Sequence, residues 1–341
     1  MCLLRLSAIG DTCHALAVLR RLQDAWPTTR FTWVIGRFEQ RLMSLLPDVE
    51  FISYDKRGGL AEIRRLRGVL AGRRFDVLLH MQIALRASLV STLVRAPLRL
   101  GFDLRRAREL QWLFTNARIA DRGDEHVLDG LMGFADALGA PGGSPRWDMP
   151  LPPGARAYAE RLVPDARPTL LISACSSHAL RNWRAERYAA AADHAAEIHG
   201  MRVILCGGPG PVERAMADAI LGHVRTPILD QVGKDTLPEL LALMARSTAI
   251  VTPDSGPAHM ATMVGTPVIG LYAATNPARS GPYLSLAHCV DRYADATRRF
   301  LGREPGDLPW TTKIEKPGVM DLITIEDVRG RLDELMGSRA R

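Results

Sequence analysis

The 341 residues contain no Asp-x-Asp pair, so no Mg²⁺ or Mn²⁺ held between carboxylates is signalled. The nine histidines show neither H-E-x-x-H nor a comparable ligand spacing, and no metal-binding residue is assigned. Cysteine is scarce: Cys2, Cys13, Cys175, Cys206 and Cys289 are scattered, odd in number and never in C-x-x-C, which excludes a disulfide framework or zinc knuckle and leaves reduced, mostly buried thiols. A P-loop and a G-x-S-x-G elbow are also missing, which weighs against NTPase and hydrolase chemistry. No run approaches the roughly 20 apolar residues of a membrane-spanning helix. The opening Met1-Cys2-Leu3-Leu4-Arg5-Leu6 has no basic flank, long apolar region or cleavage site, so a cytoplasmic location is expected.

What is present is an ordinary globular composition, 47% hydrophobic and 24% charged, with a formal net charge of +7. Length favours two domains with separate cores. Basic residues gather in the first half (among them Lys56, Arg57, Arg64, Arg65, Arg73, Arg86, Arg99, Arg105, Arg106 and Arg108), a field suited to an anionic partner or simply to a solvated face. Short apolar runs at 3–6, 31–35, 77–80, 170–173, 203–206, 249–252 and 268–272 alternate with longer segments of helical period. That alternation predicts parallel sheets flanked by helices. The Pro/Gly-rich passage 139–154 marks the boundary, giving domains 1–153 and 154–324 and a closing amphipathic helix from 325, with Val328, Leu332 and Leu335 on one face.

Ligands of open α/β sheets collect at strand carboxyl ends, where helix N-termini offer N–H groups and a positive dipole end. Four turns of this kind carry suitable residues. In Ser7-Ala8-Ile9-Gly10-Asp11-Thr12-Cys13-His14, Asp11 can cap the helix or accept a proton from a hydroxyl. Ser176, Ser177 and Arg181 follow the 170–173 run and suit phosphate oxygens, or form a polar loop with a capping serine. The turn Cys206-Gly207-Gly208-Pro209-Gly210 lacks the third glycine of a dinucleotide fingerprint and leads to Glu213, placed for ribose hydroxyls or for its own helix dipole. In Asp254-Ser255-Gly256-Pro257-Ala258-His259, Ser255 or Gly256 caps a helix whose first residue is Pro257 and whose stop is Gly265. The amides of Gly256, Ala258 and His259 then form a diphosphate cradle, and Asp254, which would repel phosphate, goes to a sugar hydroxyl or to holding the turn.

Taken in order, Arg5-Leu6-Ser7-Ala8-Ile9-Gly10-Asp11 with His14, Met81-Gln82-Ile83-Ala84, Arg181-Asn182-Trp183, Asp254 to His259, and Leu271-Tyr272-Ala273-Ala274-Thr275-Asn276-Pro277 resemble the lipopolysaccharide heptosyltransferases of glycosyltransferase family 9. The N-terminal half looks most like the heptosyltransferase I branch, of OpsX type. The resemblance implies a GT-B fold: two facing Rossmann-like domains with an interdomain cleft, acceptor in the first and donor in the second. It implies inverting, metal-independent transfer of heptose from ADP-heptose to Kdo-lipid A at the anionic inner membrane, with no separate cofactor. No nucleic acid partner and a monomeric state are expected. The family's base falls on Asp11, and donor binding on Ser176, Ser177, Arg181, Glu213, Asp254, Ser255, Gly256, Pro257 and His259. Acceptor candidates are Ser7, Gly10, His14, Gln82, Arg105 and Arg108, and the closing helix is expected to return to the first domain. Alternatives are a family 9 transferase of a later heptose or another nucleotide sugar, and a non-catalytic nucleotide-binding protein of the same fold.

Overall fold

The computed structural model describes residues 1–339. The chain divides into two compact units, Met1–Pro150 and Leu151–Arg341. In the first, β1 (Cys2–Leu4), α1 (Ile9–Ala25), β2 (Phe31–Gly36), α2 (Arg37–Met43), β3 (Val49–Tyr54), α3 (Gly59–Leu70), β4 (Val77–His80), α4 (Leu85–Ser91), β5 (Leu98–Gly101), β6 (Ala117–Arg118) and α5 (Val127–Ala137) follow one another. The sheet order is β3-β2-β1-β4-β5-β6, and all pairings are parallel. Order reverses beside β1, so the β1–α1 turn lies at the switch point where α/β sheets hold ligands.

The second unit repeats the plan: α6 (Pro153–Leu162), β7 (Thr169–Ser173), α7 (Ala185–His199), β8 (Arg202–Cys206), α8 (Pro211–His223), β9 (Ile228–Asp230), α9 (Leu237–Arg246), β10 (Ala249–Pro253), α10 (Gly256–Met263), β11 (Val268–Tyr272), α11 (Pro277–Ser280), β12 (Val290–Asp291), α12 (Tyr293–Leu301) and α13 (Ile325–Arg339). Its order, β12-β11-β10-β7-β8-β9, is the same topology, and its switch point lies between β7 and β10. The turns after both strands carry predicted donor residues. Strands buried on both faces need apolar side chains throughout, and β7 and β10 are buried at every position.

One boundary shifts. Pro153 is the first residue of α6, where its missing N–H costs nothing, so the division falls three residues earlier than expected. The final helix buries Val328, Leu332 and Leu335 in the core of the second unit, with Trp183, Tyr188 and Ile323. The Pro/Gly passage is fastened to α1: Arg20 donates to the carbonyls of Trp147 and Asp148, and Arg21 to those of Ala140 and Pro141. The cysteines are five separate thiols, four of them buried. No helix among the described residues is long and apolar enough to cross a membrane.

Candidate functional site

In the first unit the site is built around Asp11. Ala8 is the N-cap of α1, and Asp11 Oδ2 accepts its N–H at 3.2 Å, so the capping role open to Asp11 is filled. The same oxygen lies 2.5 Å from a guanidinium nitrogen of Arg5, which also donates to the carbonyls of Ser7 and Met81. A third of the Asp11 side chain (35%) stays exposed, while Arg5 is nearly enclosed. Arg5 therefore orients a carboxylate that solutes can still reach. In the sequence Arg5 opens the motif that ends at Asp11, but no role is assigned to it there.

The floor beneath is rigid. Gln82 accepts the Leu6 N–H at 2.7 Å and reaches Ser7 Oγ at 3.3 Å, and Gln111, wholly buried, donates to the carbonyls of His80 and Gln82. Gln82 and Ser7 thus hold the turn as well as lining it. Gly36 closes one side: a Cβ there would meet Leu6 O at 2.2 Å, so only glycine lets β2 pass. His14 is buried edge-on to His126, at 5.6 Å between ring centres, and Gly10 lies inside α1; both support the helix from within. Arg105 is exposed and paired with Asp124, and Arg108 is exposed on the same loop. Arg99, counted with the basic field, is a structural residue that donates to the carbonyls of Ser91, Val94 and Phe114.

In the second unit Arg181 is the centre. Its Nε and Nη2 reach Glu315 Oε1 at 3.0 and 2.5 Å, and Nη1 reaches Asp254 Oδ2 at 3.3 Å. Asp254 is thereby assigned to positioning Arg181. Glu315, in the irregular stretch before α13, was not expected from sequence, since nothing periodic marks it. Burial works against its ionisation, but the hydrogen bond from Arg181 and the charges of Arg181, His178 and Lys313 prevail and hold its carboxyl below the usual range.

Ser176 is bound up in its own loop: its N–H donates to Asn182 Oδ1 at 2.7 Å and its hydroxyl donates to His178 O at 2.9 Å. Ser177 is exposed beside it. Trp183 is fully buried and donates to Ile323 O at 3.0 Å, anchoring the end of this loop. Glu213 lies in the first turn of α8 and folds back beneath the glycines; a Cβ on Gly210 would meet its Oε2 at 2.3 Å.

The Asp254–His259 turn differs in detail from expectation. Ser255 is the N-cap, Gly256 the first helical residue, and Pro257 stands second. The Ser255 hydroxyl pairs with Thr252 Oγ1 at 2.9 Å and leaves the helix uncapped by a side chain. The Ala258 N–H is spent on Ser255 O at 3.2 Å, so it drops out of the cradle. Gly256 keeps an N–H without an intrahelical acceptor, His259 sits buried one turn in, and Gly265 stops the helix at φ +73°.

Asp235, just before α9, is a half-buried carboxyl. Burial lifts Asp235 to about 7, outweighing its own backbone hydrogen bond and helped by Glu239. Between the ordinary value near 4 and about 7 the folded chain holds more protons at this site than the unfolded one, so the Asp235 contribution to stability falls as pH rises through that window. Asp235→Asn should remove the slope. Urea midpoints of variant and parent at pH 5 and 8 check it, with the variant gaining relative to the parent at pH 8.

Comparison with known proteins identifies the family and the fold. The sequence model of glycosyltransferase family 9 (heptosyltransferase) matches residues 63–301. The lipopolysaccharide core heptosyltransferase OpsX of Haemophilus influenzae is 40% identical over 98% of this chain and 96% of its own length. The family 9 glycosyl transferase structure from Veillonella parvula superposes with a TM-score of 0.80 at 22% identity, covering 99% of this chain and 97% of that one. The Escherichia coli heptosyltransferase WaaC with ADP gives 0.76 at 20% identity, covering 98% and 99%. Those two structures share the GT-B-like fold of paired parallel sheets. With a family model matched over most of its length and a 40% identical relative aligned nearly end to end, the chain belongs to glycosyltransferase family 9 and is a glycosyltransferase.

Proposed function

We propose that this enzyme transfers L-glycero-D-manno-heptose from ADP-heptose to Kdo of the lipopolysaccharide inner core, with inversion and without a metal ion. One observation carries the choice of sugar and acceptor: the near end-to-end likeness to the H. influenzae core heptosyltransferase. The geometry supports the chemistry. Asp11, oriented by Arg5, takes the proton of the attacking Kdo hydroxyl. Arg181 and the Gly256 amide at the start of α10 take up the charge left on ADP, which is the work a metal does elsewhere. Glu213 binds the donor ribose, and Ser177 and His259 line the phosphates.

The surface of the first unit supports contact with an anionic, lipid-bearing acceptor at the inner membrane. Leu85 and Leu89 of α4 and Leu104, Leu110, Trp112 and Leu113 after β5 are all exposed, alongside Arg86, Arg105 and Arg108. Glu109 and Leu110 take left-handed backbone angles, φ 50° and 60°, and Glu109 Oε2 accepts the Leu85 N–H at 2.6 Å. A strained loop held so that apolar side chains face outward between arginines suits a headgroup boundary.

The direct test is turnover of ADP-heptose with Kdo-lipid A in excess EDTA, read by mass of the product and its anomeric configuration. The expected result is one heptose added, inverted, at the rate found without chelator. Loss of turnover restored by Mg²⁺ overturns the metal-free mechanism, and transfer only from another nucleotide sugar overturns the donor.

A further inference from the structure

The structure brings together a group that no local motif announces. His194 and His199 on α7 both direct Nε2 at one oxygen of Asp333 on α13, each at 2.6 Å. The two rings stand edge to face at 5.4 Å between centres, and one ligand atom from each of the three residues lies within 4.8 Å of the others. We propose that His194, His199 and Asp333 form a binding site for a divalent transition metal ion, of the class that imidazole favours (Zn²⁺, Co²⁺ or Ni²⁺), which joins α7 to the final helix.

The donor set is right for such an ion: two neutral imidazoles and a carboxylate, with a fourth position open to water. Bonds of about 2.0–2.1 Å in a tetrahedron put ligand atoms about 3.3 Å apart, so the present hydrogen-bonded group must open by less than about 1 Å. As each Nε2 turns from Asp333 to the metal, the single proton of the neutral ring moves to Nδ1, so the imidazole binds as its Nδ1–H tautomer. The ligands are already aimed. The histidines are largely enclosed, at 15% and 17% side-chain exposure, while Asp333 is half exposed and leaves an entry path. Their helices are locked by the core, with Ala192 and Ala195 of α7 packed together with Val328, Leu332 and Leu335 of α13. His199 is also the last residue of α7, where helix carbonyls favour a cation.

The site is structural. Ser176, Ser177 and Arg181 precede the N-terminus of α7, and His199 closes its other end, roughly 21 Å along the axis. A metal here fixes the last helix without touching the transfer chemistry, so it is compatible with turnover in EDTA.

The test uses the full chain, freed of metal and titrated with Co²⁺. One ion per chain with visible d–d absorption is expected, displaced by Zn²⁺, and saturating Zn²⁺ should raise the melting temperature by about 3–6 °C. His194→Gln, His199→Gln and Asp333→Asn should each lose the absorption and the thermal shift, while Asp333→His, which keeps three donors, should retain both. No saturable uptake at about 1 mM metal, or uptake unchanged in the Gln and Asn variants, overturns the site.

Discussion

Asp11→Asn is expected to lower kcat by about 10²–10⁴-fold while leaving donor affinity near that of the parent. The substitution is chosen because the structure gives Asp11 two duties. Its Oδ2 accepts the Ala8 N–H that opens α1 and pairs with Arg5. An asparagine oxygen accepts both bonds at the same place, so helix start and Arg5 orientation survive and only the basic carboxylate is lost. If Asp11 served solely as a cap, the variant would behave as wild type. Rapid-quench turnover beside calorimetric binding of ADP-heptose separates the cases: an unchanged melting temperature with collapsed kcat supports the base, and a kcat within threefold of the parent removes Asp11 from the chemistry.

How much of this was readable in advance follows from burial. The four inner strands of the second sheet, β7, β8, β10 and β11, are continuous apolar runs because helices cover both faces, and each was visible in the sequence. The strands outside that reading include β9 and β12 at its edges, of three and two residues, and β3, whose Val-Glu-Phe-Ile-Ser-Tyr mixes polar side chains into an edge. Too little apolar pattern remains there to mark a strand. The turns that carry the site were legible for a related reason: glycine, proline and a cap residue at a strand end have few other uses.

Partners across the chain were not legible. Arg181 meets Glu315 at a separation of 134 positions, in a segment without periodicity, and Arg5 meets Asp11 only because the β1–α1 turn folds back. His194 and His199 acquire their carboxylate from Asp333 on another helix. Sequence patterns report which face of an element is buried; they say little about which polar side chains the topology sets opposite one another. Asp254 shows the consequence. Its repulsion of phosphate was apparent from charge alone, but its use, holding the Nη1 side of Arg181, needed the fold.

Arg181→Ala is expected to cost about 10²–10³-fold in kcat, the range found when a preorganised donor to a developing anion is removed. The guanidinium is clamped by Glu315 through Nε and Nη2, the shorter contacts, and by Asp254 through the longer Nη1 contact at 3.3 Å. A diphosphate arriving at the α10 N-terminus competes most easily for the Nη1 side, where the existing bond is weakest, while Glu315 keeps the fork in place. That division predicts two further results. Arg181→Lys keeps the charge but cannot hold Glu315 and a phosphate oxygen in one plane, so it should recover only part of the loss. Glu315→Gln leaves the guanidinium intact but less firmly aimed, so it should fall between wild type and Arg181→Lys. ADP and adenosine affinities supply the readout that a purely structural clamp would not move: Arg181→Ala should weaken ADP and leave adenosine unchanged. Equal weakening of both ligands would mean that the residue shapes the nucleoside pocket, and that the leaving charge is carried by the α10 amides alone.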